Sequence, residues 1–507
     1  MVLIVILFIF VVASFIRYVR WLSLLQEKEY RWDRLKLLLF SPQGIRELIR
    51  VIPRITDFSR SGLKRPKITG RVLFICAMSC LFVLKWWLVG SSIFDLGSSG
   101  SLQAPAAGTR FWLSWWGGFY VLMPLIVMLG SIPSSLISRI QTYLVLRKAS
   151  RRLRRAAPTV IGITGSYGKT STKLLLAHLL QTKHAVFVTP KSFNTRYSVA
   201  RNIEKKYRDQ PIAILEYGAY AKGEIARLAQ WFPPNVAIIT GLAPQHMGLF
   251  GSVAAIILAK SELVAALPEA GVVLFNAVAK DVDKIVKTGQ KSWRFRHPQA
   301  APLTTIPCDY HKSALGFEYG LNTDGNLTIE YHGKTYVTQL AGLHMAEPVE
   351  VAAVTARRFD LSPIEIATAL ASYETTGNFL QLQKTKSGAV VIDDGGTANP
   401  AGFSAAIALL LNAPQQKKTV ITSGIVDLGT ATQLVHQRLA QELASKKVVV
   451  LYVGEVGKTA FEAELGERCI SDRASILKHL QSLSVSDALL IEGRMPGWIA
   501  PVLKDLR

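Results

Sequence analysis

"PTVIGITGSYGKTSTKLLL" (residues 158–176) is the stretch that decides the fold. It begins with an apolar, β-branched run that predicts a buried strand, and it continues into a helical pattern over 169–181. Between them lies Gly168-Lys169-Thr170. A strand, a glycine turn and a helix that begins with Lys-Thr are typical of phosphate-binding loops. The common form of this loop has a glycine five residues before Gly168, where this chain has Ile163, so the loop is a variant.

The loop predicts a nucleotide site. Its backbone N–H groups can surround phosphate oxygens at the N-terminus of the helix. Lys169 would reach the β- and γ-phosphates, and the Thr170 hydroxyl would bind Mg²⁺. The residues predicted to bind nucleotide here are Thr164, Gly165, Ser166, Gly168, Lys169, Thr170 and Ser171. The alternative is a glycine-rich turn with an exposed lysine.

Short β-rich runs alternate with helical stretches from Pro158 to the end of the chain. Such alternation predicts parallel sheets covered by helices. We therefore expect an N-terminal α-helical membrane region with three spans, followed by two α/β domains. The first would be a central phosphate-loop domain at about 156–376. The second would be a Rossmann-like C-terminal domain at about 377–507.

Polar side chains follow several of the predicted strands. In open α/β sheets, ligands bind at the carboxyl ends of strands, where a carboxylate can hold Mg²⁺ or ribose and an asparagine can pair with adenine. The residues selected on this basis are Asn194, Thr195, Glu216, Asn276, Asp394 and Asn399. His246 and Lys260 stand out in the apolar stretch that follows "VAIITGL". For several of these, capping or turn chemistry is the structural alternative.

Three apolar segments precede the loop, at about 2–16, 72–94 and 111–132, within a membrane region of residues 1–138. Each is near the ~20 residues that a helix needs to cross a bilayer. The first could be a secretory signal. Its positive charges follow the apolar run and no cleavage site is clear, so we interpret it as an anchor. A basic helix at 139–155 is expected to lie on anionic lipid.

Most of the net charge of +24 lies in the first 160 residues, which have 23 basic and 6 acidic side chains. A basic chain can bind nucleic acid, but these charges flank apolar spans, so we expect no nucleic-acid partner. Residues 17–71 have 14 basic and 5 acidic side chains, whereas 95–110 has one of each. The positive-inside rule places the N-terminus outside and the catalytic domains in the cytoplasm of a cell-membrane protein.

The tryptophans agree with this topology. They end the second apolar segment and begin the third, where an aromatic belt at the outer interface is expected: Trp86, Trp87, Trp112, Trp115 and Trp116. The four cysteines have no disulfide or metal-binding spacing, as expected in a reducing cytoplasm.

In their order and spacing, these segments resemble the Mur ligase family, whose members build the peptide stem of the bacterial cell wall with ATP. The loop "TGSYGKTS" (164–171) is similar to that family's short loop, which explains Ile163. The segments "ILEYGA", "PQHMGLFGSVAAIILAKSEL" and "IDDGGTANP" are most similar to those of members that add a dipeptide. The resemblance covers about 158–507.

The resemblance implies an ATP-dependent, ADP-forming carboxylate–amine ligase. ATP would phosphorylate a carboxylate of a UDP- or lipid-linked muropeptide precursor, and D-alanyl-D-alanine would attack the acyl phosphate. The catalytic residues would be Lys169, His246 and Lys260. Thr170, Glu216 and His246 would hold Mg²⁺, together with Lys260 if it is carbamylated as in many members. Asn276 would lie near adenine, and closure of the C-terminal domain would bring Asp394 to the ribose. Asn399 would also contact the nucleotide, and Asn194 and Thr195 the substrate.

Several residues differ from those usual in the family. These differences weaken the predicted substrate more than the predicted reaction. Asn378 replaces a phosphate-binding arginine, Gly396 replaces a tyrosine, and Glu492 stands where a lysine is common. The usual uridine-binding first domain is absent, and the apolar segments stand in its place. These features leave open a lipid-linked substrate, another γ-amide polymer or an inactive homologue. A membrane-coupled export ATPase, or a kinase, is the alternative of another class, but it would not need Lys260, Asn276 and a second α/β domain.

Overall fold

The computed structural model describes residues 2–27, 30, 45, 66–98, 105–244, 247–375, 380–396, 398–426 and 428–506. The chain divides into two compact units, Met1–Leu144 and Val145–Arg507.

The first unit is α-helical where it is described. Its helices are α1 (Val2–Glu27), α2 (Gly70–Ser98) and α3 (Pro105–Ala156), whose last turns belong to the second unit. By length and composition, three described segments could cross a membrane: Phe8–Glu27, Gly70–Phe94 and Ser114–Ala156. The third apolar segment and the basic stretch 139–155, which the sequence analysis separated, form one helix that continues through Pro124 and Pro133.

The helices of this first unit pack through a small apolar core. Leu22 of α1, Ile75 of α2 and Val127 of α3 are buried in it. Trp86 and Trp115 stack with ring centroids 4.6 Å apart, and each indole N–H donates to the backbone carbonyl of the other, at 3.3 and 3.1 Å. Two of the predicted belt tryptophans therefore join the end of α2 to the beginning of α3.

The central domain is built on a parallel sheet with β1 in its middle, in the order β2-β3-β1-β4-β5-β6. The strands are β1 (Thr159–Thr164), β2 (Val186–Val188), β3 (Ile212–Glu216), β4 (Val236–Ile239), β5 (Val272–Asn276) and β6 (Thr304–Cys308). The helices between them are α4 (Lys169–Gln181), α5 (Arg196–Lys206), α6 (Glu224–Trp231), α7 (Met247–Phe250), α8 (Val253–Ala265) and α9 (Val282–Arg296). Because the strands are parallel, the carboxyl ends of β1, β3 and β5 meet at one edge.

Two apolar cores cover the faces of this sheet. The first contains the leucines of α4, helices α10 (Ala346–Arg357) and α11 (Pro363–Ala371), and residues of an antiparallel sheet. That sheet has the order β7-β8-β9, formed by Glu318–Leu321, Asn326–Tyr331 and Lys334–Ala341. The second core contains α5, α6, α8, α9 and the end of α3. The rigid double-sided packing fixes the strand ends that form the site.

The C-terminal part of the second unit has its own sheet, in the order β10-β11-β15-β12-β13-β14, with an antiparallel β10. Its strands are β10 (Gln381–Lys384), β11 (Val390–Asp394), β12 (Lys417–Thr422), β13 (Val449–Tyr452), β14 (Cys469–Ile470) and β15 (Asp487–Glu492). Its helices are α12 (Pro400–Asn412), α13 (Thr432–Ala444), α14 (Lys458–Leu465), α15 (Arg473–Gln481) and α16 (Ala500–Asp505). Apolar side chains bury both faces.

The two predicted parallel α/β sheets are confirmed. Helices α10 and α11 are separate, because Ser362 and Pro363 begin a new helix with a capping box. The edge strand β10 was not predicted, since its polar sequence "QLQK" carries no apolar period.

Candidate active site

The phosphate loop joins β1 to α4. At two of its positions, the backbone conformation or the close packing requires glycine. Gly168 has a φ of 77°, a left-handed conformation that glycine adopts without strain. A Cβ at Gly165 would lie 2.0 Å from Thr240 Oγ1. Gly168 also provides no side-chain cap, so the first N–H groups of α4 are left for another acceptor. An anionic phosphate is the acceptor that such a helix N-terminus favours.

Two lysines converge on the loop from different helices. Lys169 Nζ donates to the carbonyl oxygens of Gly165 at 2.8 Å and of Ser166 at 3.0 Å. Lys260 of α8 donates to the same Gly165 oxygen at 2.8 Å. Burial and the nearby Lys169 lower the pKa of Lys260 well below that of an ordinary lysine, and burial also lowers the pKa of Lys169. An anion bound here would compensate both amines.

Glu216 is the buried carboxylate beside the loop, at the end of β3. Its Oε1 accepts from Asn194 Nδ2 at 3.0 Å, while Oε2 accepts from Lys173 Nζ at 2.9 Å and from Thr170 Oγ1 at 3.1 Å. Burial alone would raise its pKa, but Lys173 and Lys169 outweigh that effect, and the pKa of Glu216 is lowered. The carboxylate is therefore ionised at neutral pH.

Lys173 is a site residue that the sequence analysis missed. Its side chain is fully buried, and its ammonium also donates to the carbonyl of Lys191. Removing one partner of a buried ion pair costs about 3–5 kcal/mol, so Lys173 and Glu216 depend on each other. The available signal was its spacing, because a residue four positions after Lys169 lies on the same face of α4.

The oxygens of Thr170 and Glu216 fit a magnesium ion by their chemistry. Mg²⁺ prefers hard oxygen ligands and is bound in phosphate sites by one or two carboxylates together with substrate phosphates. No group of three or more His, Cys, Asp or Glu side chains in the described parts of the chain could hold a metal. Water and phosphate oxygens are the further ligands that Mg²⁺ ordinarily takes in such sites. His246, the other predicted ligand, lies outside the described residues.

A pocket opens beside the loop. Its lining includes Ser166, Lys169, Asn194, Tyr220, Phe250 and Lys260. The structure therefore brings together the phosphate loop, Asn194 from the segment between β2 and α5, and the lysine of α8, which are far apart in sequence. Tyr220 and Phe250 add aromatic surface to the charged lining.

Asn276, predicted to lie near adenine, is engaged within the protein. Its Nδ2 donates to Glu347 Oε2 at 2.7 Å, and its Oδ1 accepts from the backbone N–H groups of Val278 and Ala279 at 3.1 and 3.3 Å. Burial raises the pKa of Glu347, and burial together with Glu347 raises the pKa of Tyr167. Asn276 thus holds Glu347 and the turn after β5 in place.

The C-terminal sheet contains a buried acidic pair. Asp394 and Glu492 end β11 and β15 and are direct neighbours in the parallel register. Glu492 is fully buried, and neither of its carboxylate oxygens has a hydrogen-bond donor in the described structure. Burial and the neighbouring Asp394 raise the pKa of Glu492 well above normal, and burial raises that of Asp394. Neither residue lines the described phosphate-loop pocket.

Two predicted binding residues act as helix caps. Thr195 precedes α5 and forms a capping box with Ser198. Asn399 precedes α12, and its side chain accepts from the backbone N–H of Gly402 at 3.0 Å. These contacts are the capping chemistry that the sequence analysis gave as the alternative.

The residues of this site lie within a segment that is similar to known proteins. Residues 163–356, which include the phosphate loop, Glu216, Lys260 and Asn276, match the Mur ligase middle domain. The chain is 28% identical over 368 residues to the UDP-N-acetylmuramoyl-tripeptide–D-alanyl-D-alanine ligase of Bacillus subtilis, covering 71% of this chain and 78% of that one. The Escherichia coli ligase of the same name is 25% identical over 378 residues, covering 72% and 81%.

Solved structures share the fold of this chain over about 72% of its length. The MurF ligase from Thermotoga maritima, in complex with ADP, has a TM-score of 0.61 at 24% identity, covering 72% of this chain and 83% of that one. MurF from Acinetobacter baumannii has a TM-score of 0.60 at 22% identity, covering 72% and 80%.

Three residues differ from the usual Mur ligase pattern, and the structure describes the surroundings of two of them. A Cβ at Gly396 would meet no described atom within 4 Å, so the place of the family's tyrosine is open space. Glu492, in the place of a common lysine, leaves Asp394 beside a second acid instead of a cation. Asn378 lies outside the described residues.

Proposed function

We propose that this chain is a Mur ligase that joins D-alanyl-D-alanine to the peptide of a UDP-N-acetylmuramoyl-tripeptide, using ATP. ATP phosphorylates the peptide carboxylate, the dipeptide amine attacks the acyl phosphate, and the tetrahedral intermediate collapses to an amide. ADP and phosphate leave. The relatives of that name, which match about 70% of the chain, support this substrate pair.

The convergence of Lys169 and Lys260 on Gly165, beside ionised Glu216, carries the proposal. The reaction brings a carboxylate towards the γ-phosphate, and these two anions repel each other. Lys169 is placed to neutralise phosphate charge, and preorganised cations of this kind stabilise the developing charge of the transition state. Bound Mg²⁺, held by Thr170 and Glu216, would supply further screening of the phosphates.

Lys260 is suited to carbamylation. A neutral amine adds to carbon dioxide: an N–C bond forms, one proton leaves, and the product carries a negative charge. The lowered pKa of Lys260 favours the neutral amine that this addition needs. The resulting carboxylate would be a ligand for Mg²⁺. We propose the same metal role for His246 from the family resemblance alone.

We further propose that α1, α2 and α3 anchor the enzyme in the cell membrane. Their apolar stretches support membrane crossing by length and composition. The basic excess of residues 17–71 and of the segment after the third apolar stretch supports cytoplasmic catalytic domains and an external N-terminus.

Product analysis tests the reaction. The purified full chain, in detergent, is incubated with ATP, D-alanyl-D-alanine and the UDP-linked tripeptide, and the products are identified by mass spectrometry. We expect one amide bond and one ADP per product. Absence of the amide product, with ATP and Mg²⁺ in excess, would refute the proposed function.

A lipid-linked acceptor is the second candidate, because the apolar helices would hold the enzyme where such a substrate resides. The same assay with an undecaprenyl-linked muropeptide decides between the two. Turnover of the UDP-linked form alone would exclude this candidate, and exclusive turnover of the lipid form would replace the first.

A further inference from the structure

A strongly basic surface lies on the second unit of the chain, Val145–Arg507, which contains the phosphate loop and is called the catalytic unit below. It is formed by the last turns of α3 and by α5 with the turn that follows. Its exposed cations are Arg147, Lys148, Arg151, Arg154, Arg155, Arg201, Lys205, Lys206 and Arg208. We call this set the basic surface.

Ion pairs join its two segments. Lys148 Nζ lies 3.0 Å from Glu204, which also pairs with Arg201 at 3.1 Å, and Arg152 lies 3.5 Å from Asp209. The opposite faces of the two segments are buried in the same apolar core. The basic surface is therefore fixed to the catalytic unit, with its cations facing outward.

Positive charge is in large excess on this surface. Residues 145–156 have six basic and no acidic side chains, and residues 196–209 have five basic and two acidic ones. Both acids, Glu204 and Asp209, are already paired with cations of these segments. Eleven basic and two acidic side chains leave a net excess of nine positive charges.

We propose that the basic surface is a docking surface for anionic phospholipid headgroups, which holds the catalytic unit on the membrane. This rests on the proposed membrane anchoring. Near an anionic bilayer, each exposed Lys or Arg adds to the electrostatic attraction. The membrane is favoured over nucleic acid because the uncharged stretch 111–138 ends nine residues before Arg147 on the same continuous helix.

Docking would also orient the pocket. Helix α5 begins beside Asn194, which binds Glu216 in the site, and its other end carries Lys205 and Lys206. Eleven residues of α-helix span about 16 Å at 1.5 Å per residue. The pocket and the lysines of the basic surface thus lie at opposite ends of the short helix α5.

Hydrogen–deuterium exchange of the full chain in nanodiscs tests the docking. One set of discs contains phosphatidylcholine alone and the other adds phosphatidylglycerol. We expect several-fold slower exchange in peptides from 196–209 in the anionic discs, and loss of this protection at high salt. Equal exchange in both discs would overturn the proposal, as would protection by added RNA but not by anionic lipid.

Charge reversal provides the matched comparison. The variant Lys205→Glu/Lys206→Glu should lose the lipid-dependent protection, whereas Lys446→Glu/Lys447→Glu, which changes two exposed lysines of the C-terminal domain, should keep it. Both should form amide from the soluble UDP-linked substrate. Loss of activity in every sample, with protection retained, would count against the proposed reaction and not against docking.

Discussion

Lys169 and Lys260 donate to one acceptor, the carbonyl oxygen of Gly165, at 2.8 Å each. Two amines that share one oxygen in a buried setting repel each other when both are charged. Burial and, to a smaller extent, the charge of Lys169 lower the pKa of Lys260, and an anion bound at the loop would offset both effects. The site is therefore arranged to gain stability when phosphate or a carbamate is present.

Lys169→Ala should abolish ATP-dependent amide formation, because no other described side chain of the loop carries a positive charge to the phosphates. We expect a loss of at least about 100-fold in kcat, as for removal of a transition-state donor. Product mass spectrometry measures it. Lys284→Ala, at an exposed position of α9, is the control and should retain activity. Unchanged turnover in the Lys169 variant would refute the assigned site.

Lys173→Met should destabilise the protein by about 3–5 kcal/mol, since it leaves Glu216 buried with its charge uncompensated. The double variant Lys173→Met/Glu216→Gln should recover most of that stability but not the activity. Thermal unfolding in detergent and the ligase assay measure the two effects. If the double variant is no more stable than the single one, the two side chains do not depend on each other as proposed.

Depletion of bicarbonate should lower the activity of the wild-type chain, and its return should restore it. Lys260→Ala should have low activity at any bicarbonate concentration, because no carbamate can form. Intact-protein mass spectrometry under mild conditions should detect the added carbon dioxide in the wild type only. A Lys260→Ala variant with full activity would count against carbamylation.

Glu492→Gln should stabilise the protein more as pH rises. The folded-state pKa of Glu492 is well above its ordinary value of 4.5, because burial and Asp394 disfavour ionisation. Between 4.5 and that raised pKa the unfolded state binds fewer protons, so this residue makes the wild type less stable as pH increases. The neutral amide removes the dependence. Unfolding midpoints in mildly acidic and mildly alkaline buffer measure it.

Glu467→Gln, at an exposed position, is the control for this comparison and should follow the wild type at both pH values. An equal effect of Glu492→Gln in both buffers would show that Glu492 is not protonated in the folded state.

Much of the central fold was predictable from local sequence. The bounds of α4 at residues 169–181 match the prediction, because a glycine turn precedes it and its leucines repeat at helical spacing. The alternation of apolar runs also predicted both parallel sheets. The continuity of α3 through Pro124 and Pro133 was not predictable, since proline ordinarily interrupts a helix.

The candidate site was predictable as a set of residue types, but not as a set of contacts. Thr170 and Glu216 were selected separately, yet Lys173 between them was missed because a lysine on a helix is usually exposed. The burial of Lys173 against Glu216 depends on β3 lying next to β1, which is decided by strand order and not by any local pattern.

The sequence by itself determined where the phosphate-type loop lies, because strand, glycine turn and helix N-terminus follow from residues that are adjacent in the chain. Only the tertiary structure decided what surrounds that loop. Lys260 reaches Gly165 across 95 residues, and Glu492 reaches Asp394 through the order of strands in the second sheet. Such pairings depend on which elements pack together, and burial then sets the charge of each group.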